Sequence, residues 1–151
     1  MIKLHKIIAT FFGIGYIGKG GGTLAAVALC IIWLVMPERF LTPYLQVSLT
    51  LLVCLLGVWS GNVVDAFWGK DSSKVVIDEV AGMMVSLLFI PIVLKYVLAG
   101  LVLFRIFDIA KPLFIKRMEA LPKGWGVMGD DVVAGVYANL LLQVILYVKV
   151  F

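Results

Sequence analysis

A chain of 151 residues allows one domain, and its composition excludes an ordinary soluble protein, since 63% of the residues are hydrophobic and only 15% are charged. The mean hydropathy of +1.11 therefore predicts an integral membrane protein. The net charge of +4 fits a basic surface facing anionic lipid, and we expect no nucleic-acid partner.

The N-terminal part has an apolar stretch, residues 7–17, that loosely resembles a signal peptide. A glycine-rich segment, residues 13–23, overlaps its end and makes this the weaker interpretation. Its glycines can line an anion-binding concavity ahead of a helix, with further donors from Lys19 and Thr23, or can form a flexible or closely packed turn. The segment is not a P-loop, because the Gly-Lys-Ser/Thr ending is missing.

Four apolar regions predict helices, at residues 24–36, 44–64, 80–104 and 132–151. The first is short for a span of about 20 residues and can extend back into the glycine-rich segment. The third is interrupted by a proline and a lysine. It is therefore either one long kinked helix or a helical hairpin that turns near residues 91–95.

Basic residues decide between these two topologies. With a cytoplasmic N-terminus and a hairpin in the third region, residues 1–23, 65–79 and 105–131 share the cytoplasmic side. That side then holds ten of the 13 lysines and arginines, in agreement with the positive-inside rule. We therefore predict an all-α, polytopic membrane bundle of about five helical segments with a hairpin near 91–95. It forms a single domain over residues 1–151, with its C-terminus outside.

The same topology gathers the acidic residues on one face. Eight of the nine carboxylates fall on the cytoplasmic side. They are Asp65, Asp71, Asp78, Glu79, Asp108, Glu119, Asp130 and Asp131. Because carboxylates are costly beside a bilayer and tend to mark function there, we predict a functional site on this face.

The first acidic pair, Asp78-Glu79, stands at the start of the third apolar region, shortly after Asp71. Adjacent residues on a helix point about 100° apart. The two carboxylates can still serve one site from a helix start, both as metal ligands or with one of them orienting water. The alternative is N-terminal capping, which stabilises a helix by roughly 0.3–1 kcal/mol.

Arg105, Asp108 and Lys111 follow the third apolar region at a spacing that keeps neighbours on one side of a helix, which Pro112 then helps to end. An arginine and a lysine beside a carboxylate suit a phosphate bound next to a metal ion. The alternative is an intrahelical salt bridge at the membrane interface.

The second acidic pair, Asp130-Asp131, precedes the last apolar region. Adjacent aspartates repel each other, and a bound cation or a shift in protonation relieves the repulsion. The alternative is helix capping, which accounts well for one aspartate and less well for two adjacent ones.

Together these segments predict magnesium-assisted phosphoryl chemistry at the membrane surface. The single histidine, His5, cannot support a phosphohistidine mechanism with a second histidine. Neither Cys30 nor Cys54 is followed by the arginine of a cysteine-phosphatase loop, and no Asp-x-Asp motif occurs. The remaining candidate for the nucleophile is water activated by a metal ion, and an aspartate nucleophile is the weaker option.

Four motifs in order resemble those of phosphatidylglycerophosphatase A, a family of bacterial magnesium-dependent lipid phosphatases, over roughly residues 13–135. The matching positions are Gly22, Thr23, Asp71, Asp78, Glu79, Gly82, Arg105, Asp108, Lys111, Pro112, Gly126, Asp130, Asp131, Ala134 and Gly135. The chain departs from the family pattern at Gly21, Ala25, Ala26 and Phe114. These departures concern mainly the glycine loop and not the acidic positions.

The resemblance implies hydrolysis of phosphatidylglycerol phosphate to phosphatidylglycerol and phosphate, at the cytoplasmic face of the bacterial inner membrane. It implies that four carboxylates bind Mg²⁺, namely Asp78, Glu79, Asp130 and Asp131. Asp71 or Asp108 is then an additional or indirect ligand. The implied phosphate-binding residues are Gly22, Thr23, Arg105 and Lys111.

Two other function classes compete with this one. A small ion or proton-coupled transporter would carry acids deep within its spans, whereas here they cluster at the span ends. A CDP-alcohol phosphotransferase, another magnesium-dependent enzyme of membrane lipids, needs an Asp-Gly-x-x-Ala-Arg motif that this chain lacks.

Overall fold

The computed structural model describes residues 1–70 and 72–149 and confirms an all-α protein. Within this part of the chain there are seven α-helices: α1 (Ile2–Ala9), α2 (Gly21–Val35), α3 (Pro43–Trp68), α4 (Ile77–Ser86), α5 (Leu94–Ala110), α6 (Ile115–Met118) and α7 (Gly124–Tyr147). Short 3₁₀ turns, Ile14–Ile17 and Glu38–Phe40, lie on either side of α2.

Local sequence explains the ends of the helices in the first two apolar regions. Pro43 opens α3, where its missing N–H costs no intrahelical bond, and Gly69 ends that helix with a φ of 81° that glycine adopts without strain. Gly20, with a φ of 90°, immediately precedes α2. The first apolar region thus does extend back into the glycine-rich segment.

The third apolar region forms two helices, as the distribution of basic residues predicts. The break between α4 and α5 falls slightly before the predicted turn at 91–95. The two helices are antiparallel neighbours, since a side chain added at Gly82 would meet Phe104 and one added at Gly100 would meet Leu87. The hairpin is therefore confirmed, and a single kinked helix is wrong.

The predicted count of about five helical segments is too low for the described part of the chain. The additional helices, α1 and α6, have only eight and four residues and lie outside the apolar regions. α1 packs against α3, with the buried His5 ring 4.2 Å from the ring of Trp59. A search for apolar runs misses such a helix because only one of its faces is buried.

α4 forms the centre of the bundle, with eight of its ten residues buried. It runs alongside α7 in the same direction and at close range. A Cβ added at Gly82 would overlap the carbonyl of Asp131, and one added at Gly135 would overlap the carbonyl of Gly82. Small residues at such positions allow helix backbones to pack closely.

Two buried amides hold the chain that follows α4. Asn139 of α7 donates to the carbonyls of Ser86, at 3.0 Å, and Leu88, at 2.8 Å. Gln46 of α3 accepts a hydrogen bond from the N–H of Phe89 at 3.2 Å. Backbone groups released from a helix need such partners wherever water is excluded.

Two helices, α3 and α7, are long and apolar enough to cross a membrane. Their 26 and 24 residues extend about 39 and 36 Å, more than a hydrocarbon core of about 30 Å. Only 28% of the most apolar window of α3 is buried, and many large apolar side chains of α2, α3, α5 and α7 face outward. An apolar surface of this extent fits lipid better than water.

The starts of α2, α4 and α7 meet the ends of α3 and α5 at one end of the bundle. Gly22 at the start of α2 adjoins Glu79 at the start of α4. The N–H of Gly124, the first residue of α7, donates to Asn62 near the end of α3 at 3.0 Å. This arrangement brings the predicted motifs together at the same end.

Candidate functional site

The first acidic pair lies in the first turn of α4, as the sequence predicts. The Asp78 side chain is buried and that of Glu79 is partly buried. The turn before the helix is anchored by Val76, whose N–H donates to the carbonyl of Ala9 at 2.9 Å. Both carboxylates therefore sit at the positive end of the helix, where negative charge is favoured.

The second acidic pair lies inside α7 rather than at its start. Because α7 begins at Gly124, Asp130 and Asp131 are nearly two turns into the helix and cannot cap it. Helix capping is therefore the wrong explanation for this pair. Both side chains are buried, with 7% and 4% of their surface exposed. Buried adjacent carboxylates need a counter-charge or hydrogen-bond donors.

Asp78, Glu79 and Asp131 converge on one point. One carboxylate oxygen from each residue lies within 4.8 Å of the other two. Asp78 Oδ1, Glu79 Oε2 and Asp131 Oδ2 are buried and have no hydrogen-bond partner within the described residues. Such oxygens are strongly unfavourable when charged, unless a cation is bound among them; the alternative is that they bind protons. The cluster therefore has the geometry and the charge to bind a metal ion.

Asp130, the fourth predicted metal ligand, is bound to Lys111 instead of joining this convergence. Lys111 ends α5 with a φ of 44°, and its ammonium donates to Asp130 at 2.7 Å and to Glu119 at 2.5 Å. Burial disfavours the charge on Lys111, but the two hydrogen bonds outweigh burial and raise the pKa of its ammonium. The hydrogen bond from Lys111 lowers the pKa of Glu119. The lysine is therefore a fixed positive charge at neutral pH.

Arg105 and Asp108 form the intrahelical ion pair that the sequence left open as an alternative, with Nη1 and Oδ2 2.6 Å apart. Both side chains are mostly buried. The pair nevertheless belongs to the acidic region, because Asp108 interacts electrostatically with Asp131 and Arg105 with Glu79. Arg105 thus places positive charge at the border of the cluster.

A cleft of about 220 Å³ opens onto the carboxylates. Its lining includes both acidic pairs together with Asp108 and Lys111. It also includes Ser72, Ser73 and Glu119, to which sequence reasoning assigned no role. The two serines adjoin Asp71 in the sequence, which is the only local signal that could have singled them out. Asp71 itself lies outside the described residues.

The glycine-rich segment is closely packed at two positions, whereas a Cβ at Gly18 or Gly20 would meet open space. A Cβ at Gly15 would overlap the carbonyl of Lys74, and one at Gly22 would overlap the Glu79 carboxylate. The absence of a side chain at Gly22 therefore lets α2 start directly beside the acidic cluster. Thr23 does not line the cleft but an open apolar groove between α2 and α5.

The arrangement combines a cluster of hard oxygen ligands with a fixed lysine across one cleft. Carboxylate oxygens are the ligands that Mg²⁺ and Ca²⁺ prefer, and a lysine ammonium binds phosphate oxygens. Metal-assisted phosphoryl transfer needs both of these, since negative charge on the phosphate must be neutralised while water attacks. The site is therefore suited to phosphate-ester chemistry.

Comparison with known proteins agrees with this chemistry. A profile of the family described as Phosphatidylglycerophosphatase A matches residues 7–146. A Haemophilus influenzae protein named phosphatidylglycerophosphatase A is 34% identical over 144 residues, covering 93% of this chain and 88% of that protein. An Escherichia coli protein of the same name is 32% identical over 146 residues, covering 92% and 81%.

Another relative carries a different name. A Bacteroides thetaiotaomicron protein, provisionally named phosphatidylinositol-3-phosphatase, is 40% identical over 149 residues. The match covers 93% of this chain and 92% of that protein. Both names denote removal of a phosphate from a phospholipid headgroup, but the headgroups differ. No solved structure gives a significant match.

Proposed function

We propose that this chain, a lipid phosphatase that belongs to the phosphatidylglycerophosphatase A family, hydrolyses the terminal phosphomonoester of phosphatidylglycerol phosphate. The products are phosphatidylglycerol and inorganic phosphate, which makes the protein a phosphoric monoester hydrolase of phospholipid biosynthesis. The observation that carries this proposal is the convergence of Asp78, Glu79 and Asp131 beside Lys111 in one cleft.

The metal we propose is Mg²⁺. The three buried oxygens without partners fit a small divalent cation, and Asp78, Glu79 and Asp131 would hold it. Asp130 lines the same cleft but is held by Lys111 and would not bind the ion directly. When bound, the ion supplies a Lewis acid that neutralises phosphate oxygens and lowers the pKa of water.

The remaining groups of the cleft bind and position the phosphate. The Lys111 ammonium binds its oxygens and stabilises the charge that develops during transfer. Asp130 and Glu119 hold that ammonium in place by its two hydrogen bonds. Asp108 lines the cleft outside the converging trio and is available to orient water. Arg105 adds positive charge at the border.

We place the protein in the bacterial inner membrane, with the cleft facing the cytoplasm. The basic segments predicted to be cytoplasmic lie at the same end as the cleft. At that end, the ammonium groups of Lys6 and Lys74 lie 5.5 and 5.4 Å from the ring of Trp68. Tryptophan and lysine are both typical of the boundary between lipid and water, where a lipid headgroup is presented.

Phosphatidylinositol 3-phosphate is the second candidate substrate. The observation that favours it is the 40% identity to the Bacteroides protein, which exceeds the identity to either phosphatidylglycerophosphatase A above. Both lipids carry a phosphomonoester on a diacylglycerol phosphodiester. The metal cluster and Lys111 would therefore act on either lipid in the same way.

The test is phosphate release by the purified chain in mixed micelles. Phosphatidylglycerol phosphate and phosphatidylinositol 3-phosphate are compared, each with Mg²⁺ and with excess chelator. We expect Mg²⁺-dependent release that is faster from phosphatidylglycerol phosphate. Faster release from the inositol lipid would make phosphatidylinositol 3-phosphate the preferred substrate. Release that persists in excess chelator would contradict the requirement for Mg²⁺. Absence of release from both lipids would reject the proposed activity.

A further inference from the structure

Two open apolar grooves run along α5, one on each side. The first lies between α2 and α5, and its lining residues are Thr23, Leu101, Val102, Arg105, Ile106, Ile109 and Ala110. The second lies between α5 and α7, and its lining residues are Phe107, Leu113, Tyr137, Leu140, Leu141 and Val144. We call them the α2–α5 groove and the α5–α7 groove. Both face outward and are almost wholly apolar.

Charge distinguishes the two grooves. The described lining of the α2–α5 groove contains Arg105, whereas that of the α5–α7 groove contains no charged residue. Arg105 does not line the acidic cleft, but its guanidinium holds Asp108, which does. The Arg105–Asp108 pair therefore stands where the α2–α5 groove adjoins the cleft. Of the two grooves, the α2–α5 groove is the one whose described lining includes a cationic residue paired with a residue of the cleft.

The groove follows the outer side of α5 and is open to the surroundings. Its α5 wall runs from Leu101 to Ala110, about 13 Å of helix. On the α2 side the lining includes Thr23, an exposed residue that directly follows Gly22. Val102, Ile106 and Ile109 expose more than half of their surface. In the membrane these side chains contact lipid, so an acyl chain of the substrate can take the place of a bulk lipid chain there.

We propose that the α2–α5 groove is the subsite for the lipid part of the substrate. An acyl chain of a diacyl glycerophospholipid lies along the groove, and Arg105 binds the phosphodiester that joins the glycerol to the headgroup. The headgroup then extends past Asp108 into the cleft, where Lys111 meets the terminal phosphate. This rests on the proposed lipid phosphatase function and holds for either candidate headgroup, since both lipids carry the same phosphodiester.

The proposal separates the roles of two cations that the sequence treated alike. Lys111 lines the cleft and would meet the phosphate that is removed, whereas Arg105, paired with Asp108 at the border of the groove, would meet the phosphate that stays. An arginine suits the second role because its planar guanidinium can bind a phosphate oxygen while it keeps a bond to Asp108. The distance between the two sites would select lipids with two phosphates.

The first experiment measures lipid binding without hydrolysis. The probe is dioleoyl phosphatidylglycerol, which has the acyl chains and the phosphodiester but no phosphomonoester, bound to the full chain in detergent and followed by native mass spectrometry. Val102→Trp fills the α2–α5 groove, and Leu140→Trp is the matched control in the α5–α7 groove, since the two residues are 57% and 58% exposed. We expect about tenfold weaker binding in Val102→Trp and in Arg105→Gln, and wild-type binding in Leu140→Trp.

The second experiment measures kinetics on diacyl phosphatidylglycerol phosphate and on its deacylated, water-soluble counterpart. Val102→Trp should lower the preference for the diacyl substrate by about tenfold through KM, and Leu140→Trp should not change it. If Val102→Trp keeps wild-type lipid binding and wild-type preference for the diacyl substrate, the α2–α5 groove is not the lipid subsite. The same conclusion follows if Leu140→Trp loses as much binding and preference as Val102→Trp. If wild-type protein binds the probe in the groove but releases no phosphate from either substrate, the proposed function fails and the groove stands.

Discussion

Asp131 completes the metal cluster, because it is the residue of α7 whose carboxylate converges with those of Asp78 and Glu79 from α4. Asp131→Asn keeps the size of the side chain and removes its charge. We expect a loss in kcat of at least about 100-fold, in the range seen when one group that stabilises transition-state charge is removed. Phosphate release in micelles measures the loss, and calorimetric titration with Mg²⁺ should show weakened binding in parallel.

Asp65→Asn is the matched control, since Asp65 lies near the end of α3 at the same end of the bundle but does not line the cleft. It should keep near-normal rates and Mg²⁺ affinity. An Asp131→Asn protein that also keeps both would show that the cluster is not the metal site.

Glu119 carries a prediction about pH. Lys111 lowers its pKa in the folded protein, so the ion pair contributes stability above the unfolded value of about 4.3. That contribution is lost as the pH falls through the lowered value. Glu119→Gln should therefore be less stable than wild type at pH 7, by at most about 1 kcal/mol because the pair is partly exposed. The difference should be smaller at pH 3 than at pH 7.

Thermal unfolding in detergent at pH 7 and pH 3 measures this difference. Glu38→Gln, at the opposite end of the bundle, is the control and should show no comparable change. A destabilisation of Glu119→Gln that stays the same at both pH values would assign the effect to packing rather than to charge.

At the scale of elements, the spacing between α4 and α7 determines whether the cluster can form. Gly135 faces the Gly82 carbonyl, so Gly135→Ala must push the two helices apart and move Asp131 away from Asp78. We expect a loss of about 1–3 kcal/mol from overpacking, read from thermal unfolding in detergent, together with weaker Mg²⁺ binding.

Gly129→Ala is the control on the same helix. A Cβ there meets Met118 at 3.4 Å, an ordinary contact, and alanine favours the helix by roughly 1 kcal/mol over glycine. The variant should be neutral or stabilising. If both alanine variants behaved alike, helix propensity rather than close approach would explain the glycines.

The elements also show which predictions the sequence allowed. Apolar runs located α2, α3 and α7, and the basic residues separated α4 from α5, because lipid restricts both helix length and charge. Asp78, Glu79 and Asp131 stood out since acids are rare in such a sequence. The bond from Lys111 to Glu119 did not, because it depends on how the turn after α5 folds back. The start of α7 at Gly124 was missed because three glycines within six residues read as a loop.

At the scale of the whole molecule, the helix directions place the end of α7 opposite the cleft. With the cleft in the cytoplasm, a reporter fused after Phe151 should be active outside the membrane. Alkaline phosphatase and green fluorescent protein fusions, which are active on opposite sides, measure this. Fusion of the same reporters at Lys116, between α5 and α7, should give the reverse result. A cytoplasmic signal from the C-terminal fusion would refute the orientation.

The hydrogen bonds of Asn139 have a consequence for how the protein is made. The ten residues of α4 extend only about 15 Å. The carbonyls at its C-terminal end accept hydrogen bonds from Asn139, a residue that is synthesised more than fifty positions later. We expect α4 to reach its final position only when α7 has been inserted, so that the two helices pack together in the last step of folding. A chain truncated before Gly124 should leave a cysteine placed at Val85 open to labelling, whereas the full chain should protect it. The enzyme would then acquire its metal site only at the moment when its last helix enters the membrane.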